Sequence, residues 1–303
     1  MVRAQGPILW TASHETIPIV KEDSPSRTAY EVAISRAAHQ ILDLPRVFED
    51  PVALTLLGPK AAAGIRAAEN RFNRRYARYL RGFLVARSRL AEDALSEAVA
   101  RGVRQYVLLG AGLDTFAHRN PHLAAGLRVF EVDHPATQQW KRELISNARL
   151  KSPGSLVYVP VNFERESLAE RLGANGFHAD EPAFFSWLGV TMYLSKEAIQ
   201  ETLRFVAHAK VSRSGIVFDY LTVPRRWDLL RRWGMKVLMR QVAAAGEPWQ
   251  TFFDPVQLHA DLRRLGFATV RDFGPQEINA RLFENAGARL RVGGPGRVVL
   301  ARI

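Results

Sequence analysis

The 303-residue chain contains no cysteine. That absence excludes disulfide frameworks, thiolate nucleophiles and cysteine-ligated zinc sites together. No stretch reaches the roughly 18 consecutive apolar residues that a membrane helix requires. The first residues, MVRAQGPILWTASHETIPIV, lack an apolar core of signal-peptide length, so a cytoplasmic location is the expectation. Metal ligands are also scarce. Eight histidines remain, and the nearest helical pair, His118 and His122, has Pro121 between its members, which argues against one continuous metal-binding helix. No metal is expected. With 47% hydrophobic and 24% charged residues, the composition suits one large globular domain or one and a half ordinary ones, and excludes a disordered chain.

Negative charge is in short supply: 30 Asp+Glu stand against 42 Lys+Arg, a net charge of +12. Nucleic acid is therefore the first partner to consider. The arginines concentrate at 66–89 and 225–240, both with helical apolar spacing, so a solvated helix face is the plainer reading. Arg outnumbers Lys 35 to 7, which reads as codon bias rather than a designed phosphate surface. The sequence has neither an RNP-like aromatic strand nor a KH-type GXXG with a basic sheet pattern. Charge alone does not make nucleic acid a partner.

The first hundred residues read as helical. A helix is predicted over 28–42, capped at Ser26 or Thr28 and stopping before Pro45. A second opens at Asp50-Pro51 and closes at Gly58-Pro59. A long one runs from about Phe72 to Val99, interrupted near Gly82 and ending at Gly102. The texture then changes. Apolar β-type runs at 105–109, 127–132, 156–159, 183–188 and 215–220 alternate with helices near 135–150, 167–172 and 196–208. That alternation predicts a parallel, doubly wound sheet. A helix over 254–265 leads into a strand over 266–270 and a helix near 276–283. The terminal run 296–303 suits a last strand inserted antiparallel. The expected division is a lid and helical cap over 1–101 and a Rossmann-like α/β domain over 102–303 with a helical insert around 224–250.

The first strand runs straight into Gly110-Ala111-Gly112, which puts bare backbone at the carboxyl edge of a parallel sheet, where small ligands bind. Asp133, with Glu131 two positions earlier, ends the second strand; a carboxylate there can accept hydrogen bonds from both ribose hydroxyls of a nucleoside. Dinucleotides and S-adenosylmethionine share this layout. The dinucleotide fingerprint needs a third glycine beside a pyrophosphate, and here that stretch reads Leu113-Asp114-Thr115. A carboxylate at Asp114 would repel a pyrophosphate but not a sulfonium, so the local chemistry prefers S-adenosylmethionine.

Five ordered blocks, LLGAGLDTFAHR (108–119), FEVDHPATQQWKREL (130–144), VPVNFERESLAERL (159–172), FFSWLGVTMYLSKEAI (184–199) and FDY (218–220), resemble the leucine carboxyl methyltransferase-like family of class I S-adenosylmethionine-dependent methyltransferases. That family includes bacterial small-molecule O-methyltransferases. The resemblance spans roughly residues 25–303 and implies a Rossmann-like seven-stranded sheet, last strand antiparallel, under an N-terminal helical cap. Residue by residue, it implies Arg89, with Arg87 as alternate, at the cofactor's methionine carboxylate. Gly110, Ala111 and Gly112 would lie under the methionine and ribose portion, with Asp133 and Glu131 near the ribose. Asp133 would also suit a helix N-cap. Asn162 and Phe163 match the pair that brackets adenine. Leu188 stands where protein-methylating members carry a glutamate, which points to the small-molecule branch. Tyr193 keeps the family tyrosine, with a core tyrosine at a helix start as its alternative; it, His134, for which a surface role is the plainer account, and Tyr220 are the candidate catalytic groups.

The functional expectation is an O-methyltransferase acting on a carboxylate or phenol of a small secondary metabolite. The alternatives are protein C-terminal carboxyl methylation, which Leu188 disfavours, and a non-enzymatic basic binding protein with a vestigial cofactor site. Trp227, Trp233, Met235 and Met239 recur at helical spacing in the insert, where core packing is the plainer reading and an aromatic pocket the functional one.

Overall fold

The computed structural model describes residues 26–163, 165–208, 213–222, 249–284 and 290–303. Most of the expected lid and insert, with their tryptophans and methionines, lies outside the described residues. Helix α1 (Arg27–Leu42) starts where Ser26 accepts the Ala29 N–H and ends before Pro45, a side-chain cap satisfying one of the first turn's orphan donors. Asp50 caps α2 (Pro51–Ala67) in the same way. As expected, Gly58-Pro59 ends the first helical stretch of this segment: Gly58 is non-helical at φ +78°, a conformation only glycine takes readily, and a second helical stretch starts at Pro59. A single turn, α3 (Glu69–Phe72), precedes α4 (Arg75–Ala100).

α4 runs through Gly82 without a break. A Cβ at Gly82 would stand 2.6 Å from the Arg291 carbonyl oxygen, so this glycine serves a close approach to the segment before the last strand rather than a helix stop.

Seven strands follow: β1 (Gln105–Leu109), β2 (Arg128–Asp133), β3 (Leu156–Pro160), β4 (Ala183–Trp187), β5 (Gly215–Leu221), β6 (Thr269–Phe273) and β7 (Gly296–Arg302). Their order is β3-β2-β1-β4-β5-β7-β6. The first five pair in parallel, and β7 inserts antiparallel between β5 and β6. The sheet is thus the Rossmann-like methyltransferase arrangement the sequence predicts. β6 begins three residues later than expected because Gly266, at φ +105°, ends the helix Pro255–Arg264 and turns buried Phe267 into the core before the strand starts.

Alternate residues of each strand enter two cores. Tyr106, Leu108, Val217 and Leu300 pack with α4 residues Val85, Leu90 and Leu95. Val107, Leu109, Phe185, Ile216 and Phe218 pack with Leu203 and Val206 of α8 (Lys196–His208). Burial on both faces is what a parallel sheet demands. β1 lies between β2 and β4, so the strand order reverses there and opens a crevice at the carboxyl ends.

Candidate cofactor and acceptor cavity

That crevice is a cavity of about 1230 Å³, floored by the carboxyl ends of the central strands and roofed by α1 and α4. The Gly110–Gly112 turn forms one wall. Gly110 and Ala111 both donate to the Val132 carbonyl, at 2.8 and 3.0 Å, and Gly110 and Gly112 hold φ of +66° and +50°. A Cβ on Gly110 would collide with Val190 Cγ2, and one on Gly112 would press on Ala29 Cβ at 3.1 Å. The glycines are therefore required by the backbone conformation and by protein neighbours, before any ligand is considered.

Asp133 lines the cavity beside this turn. One carboxylate oxygen accepts the Gly112 N–H and the other the His134 N–H. A carboxylate offers about four acceptor positions, so two remain for a diol. Burial raises the Asp133 pKa, against the opposing pull of those N–H groups and of Lys141. The cap of α6 (Pro135–Asn147) is His134, whose Nδ1 accepts the Ala136 N–H at 3.4 Å; Asp133 supports the cap only through its bond to the His134 backbone.

Arg87, three turns along α4, reaches the cavity and pairs with buried Asp219 of β5 at 2.8 Å. Asp219 in turn accepts the Gly189 N–H at 2.6 Å. The guanidinium lies against Gly189, where a Cβ would come within 2.8 Å of it. Arg89 is elsewhere: its side chain is 48% exposed, bonded to Asp93 and the Val47 carbonyl, and outside the cavity lining.

The residues present fit S-adenosylmethionine. A guanidinium suits a carboxylate, Asp133 suits a ribose diol, and Val161 and Phe163 line the same wall for a base. The leucine carboxyl methyltransferase family model matches residues 29–207. The chain belongs to that family. A methyltransferase of Bacillus subtilis (strain 168), provisionally named as S-adenosyl-L-methionine-dependent, is 31% identical over 88% of this chain and 94% of its own length. A relative from Frankia alni with the same provisional description is 33% identical over 66% of this chain and 71% of its own length. This leucine carboxyl methyltransferase family member is an S-adenosylmethionine-dependent enzyme.

Of the residues expected at the family member's site, Gly110, Ala111, Gly112, Asp133, His134, Phe163, Leu188 and Tyr193 line the cavity together. Four do not. Arg89 lies outside the lining, whereas its alternate, Arg87, lies within it. Glu131 sits two residues back from the strand end, fully buried, and pairs with Lys141 at 2.6 Å. Asn162 is absent from the lining, and its backbone N–H donates to Glu166. Tyr220 is fully buried on the other sheet face, and its hydroxyl donates to Asp272 at 2.6 Å. Burial, followed by that anion, raises its pKa, the opposite of what a base needs.

Asp114 also departs from expectation. Arg36 of α1 pairs with it at 2.6 Å and with Asp50 at 2.6 Å. Burial would raise the Asp114 pKa, but the charges of Arg36, Arg119 and Lys141 outweigh it and hold the carboxyl low. Its anion is thus matched within the protein, and the electrostatic case against a pyrophosphate weakens. Arg36 and Asp219 also line the cavity, and no motif in the sequence singles them out. Asp219 lay inside the FDY block, and Arg36 left one signal, a lone charge amid the apolar run of α1. Among the described residues no helix is long and apolar enough to cross a membrane.

Proposed function

We propose that this methyltransferase acts on an oxygen of a small-molecule acceptor, a carboxylate or phenol such as secondary metabolites carry. The observation behind this reading is the cavity's size and lining. A pocket for one drug-sized ligand occupies about 300–1,000 Å³, so about 1230 Å³ leaves room for a second small molecule beside the cofactor. In the proposal S-adenosylmethionine supplies an electrophilic sulfonium methyl. Arg87 holds the methionine carboxylate, Asp133 the ribose diol, and Phe163 and Leu188 flank the adenine. Tyr193 and His134, both in the lining, are the groups offered for orienting the acceptor oxygen or taking its proton. Tyr220 and Arg89 are left out. The helices α1 to α4 act as the cap that excludes water, so that alignment of acceptor and methyl supplies much of the rate.

The test is methyl uptake from labelled S-adenosylmethionine across a panel of small carboxylates, phenols, amines and a peptide with a free C-terminus. Transfer to an oxygen of a small acceptor supports the reading. Transfer confined to amines or to the peptide overturns it.

A further inference from the structure

Between Glu69 and Glu92 the chain carries seven arginines and no carboxylate. Arg81, Arg87 and Arg89 find carboxylates from elsewhere, in Asp43, Asp219 and Asp93. Arg74, the exposed residue just before α4, has no ion-pair partner among the described residues and lines the cavity. Thirteen residues separate it from Arg87, about 20 Å along a helix. Between them α4 lines the cavity with Tyr76, Ala77, Leu80, Phe83 and Leu84, the three- and four-residue spacing of one helix stripe, flanked by Tyr79 and by Arg81, whose charge Asp43 matches at 2.7 Å.

The loop entering β7 adds only Gly293, Gly294, Pro295 and Gly296 to the lining, none of them charged. Tyr79 and Phe83 lie flat on the loop entering β7, where a Cβ on Gly293 or Gly296 would come within 3.2 or 2.7 Å of their rings. Glu31 of α1 also lines this region, and Arg27 one turn away matches it at 3.8 Å. Along α4 the lining therefore grades from Arg74, with no ion-pair partner among the described residues, through a largely apolar midsection whose Arg81 is matched by Asp43, to the Arg87–Asp219 pair at the sheet edge.

We propose that the acceptor is an elongated amphiphilic anion. Its anionic group rests at Arg74, its apolar body lies along Leu80, Phe83 and Leu84, and its opposite end is the one methylated. This rests on the small-molecule reading above and adds the chemical class. A compact polar acceptor would leave the apolar stripe in water, and a cationic one would meet Arg74 with like charge.

The test is calorimetric titration of the full chain, saturated with S-adenosylhomocysteine, with dodecanoate and with dodecyltrimethylammonium, both below their micelle concentrations. One dodecanoate should bind per chain, at least tenfold more tightly than the cation. Arg74→Glu should weaken dodecanoate about fivefold, an exposed charge contact reversed, and should leave S-adenosylhomocysteine affinity unchanged, which shows that the variant is folded. Arg89→Glu, outside the cavity, should change neither. No dodecanoate binding, equal binding of the cation, or an Arg74→Glu variant indistinguishable from the native protein overturns the assignment. If small oxygen acceptors take up methyl while dodecanoate does not bind, this assignment alone falls; if dodecanoate binds while uptake goes only to a peptide C-terminus, the cavity holds an amphiphilic anion that is not the acceptor, and both readings fall.

Discussion

Asp133 concentrates the cofactor chemistry in one side chain. Two of its acceptor positions are occupied by backbone N–H groups of Gly112 and His134, and protonation of the carboxyl consumes one of the remaining two. Because burial raises its pKa, it takes up a proton at a higher pH than a free aspartate does. Affinity for S-adenosylhomocysteine should therefore be flat near neutrality and fall as pH drops through that raised value. For folding the sign is opposite: a carboxyl with a raised native pKa costs the folded state nothing below its unfolded pKa and penalises it increasingly as pH rises to the raised native value. Asp133→Asn should weaken S-adenosylhomocysteine roughly 10- to 100-fold, the worth of one or two hydrogen bonds to a charged group, and should flatten the acid limb. Calorimetry across pH 5 to 8 reads both. An unchanged acid limb in the variant would assign it to another group.

At the level of elements, α4 shows how a packing requirement overrides propensity. Gly82→Ala should destabilise the protein by about 1–3 kcal/mol despite the better helix former, because the new methyl meets the Arg291 carbonyl. Gly173→Ala in the helix Leu168–Ala174 has nothing within 4 Å of the added carbon and should stabilise by about 0.5–1 kcal/mol. Urea unfolding of the pair separates the two effects; a stabilised Gly82→Ala would mean that the Arg291 segment yields. The same helix explains what was readable in advance. The long apolar periodicity of 75–100 announced a helix, and the strand–helix alternation after Gly102 announced the parallel sheet, since both are written in consecutive residues. Facing is written less plainly. Arg87 and Arg89 are two residues apart, about 200° around a helix, so only one can meet the cavity, and the choice falls to Asp219 across the sheet. On β5 the pleat sends Asp219 toward α4 and Tyr220 to the opposite core, which a three-letter FDY block does not reveal. Glu131 shares the strand with Asp133 but lies two residues, about 6.6 Å, below the edge.

For the whole molecule, the N-terminal helices complete the site. Ala29 backs Gly112, the Ser26 N–H donates to Thr137 of α6 at 3.3 Å, and Arg36 ties α1 to Asp114 after the glycine turn and to Asp50 at the head of α2. Its guanidinium also donates to Thr115, whose hydroxyl donates to Asp50. Removing the shared cation strands two carboxylates of which Asp50 is fully buried. Arg36→Met should therefore cost about 3–5 kcal/mol, as breaking one side of a buried pair does. Arg302→Met, which loses an exposed contact to Glu97, should cost under about 1 kcal/mol. The coupling to the cofactor is separable from the stability loss. At a ligand concentration about 100 times the native Kd, S-adenosylhomocysteine should stabilise the native protein by about 2.7 kcal/mol. At that same concentration Arg36→Met should gain clearly less, because the glycine turn has lost its anchor to α1, while Arg302→Met should gain the full amount. Equal ligand-induced stabilisation in all three proteins would show that the cap contributes stability without shaping the cofactor site.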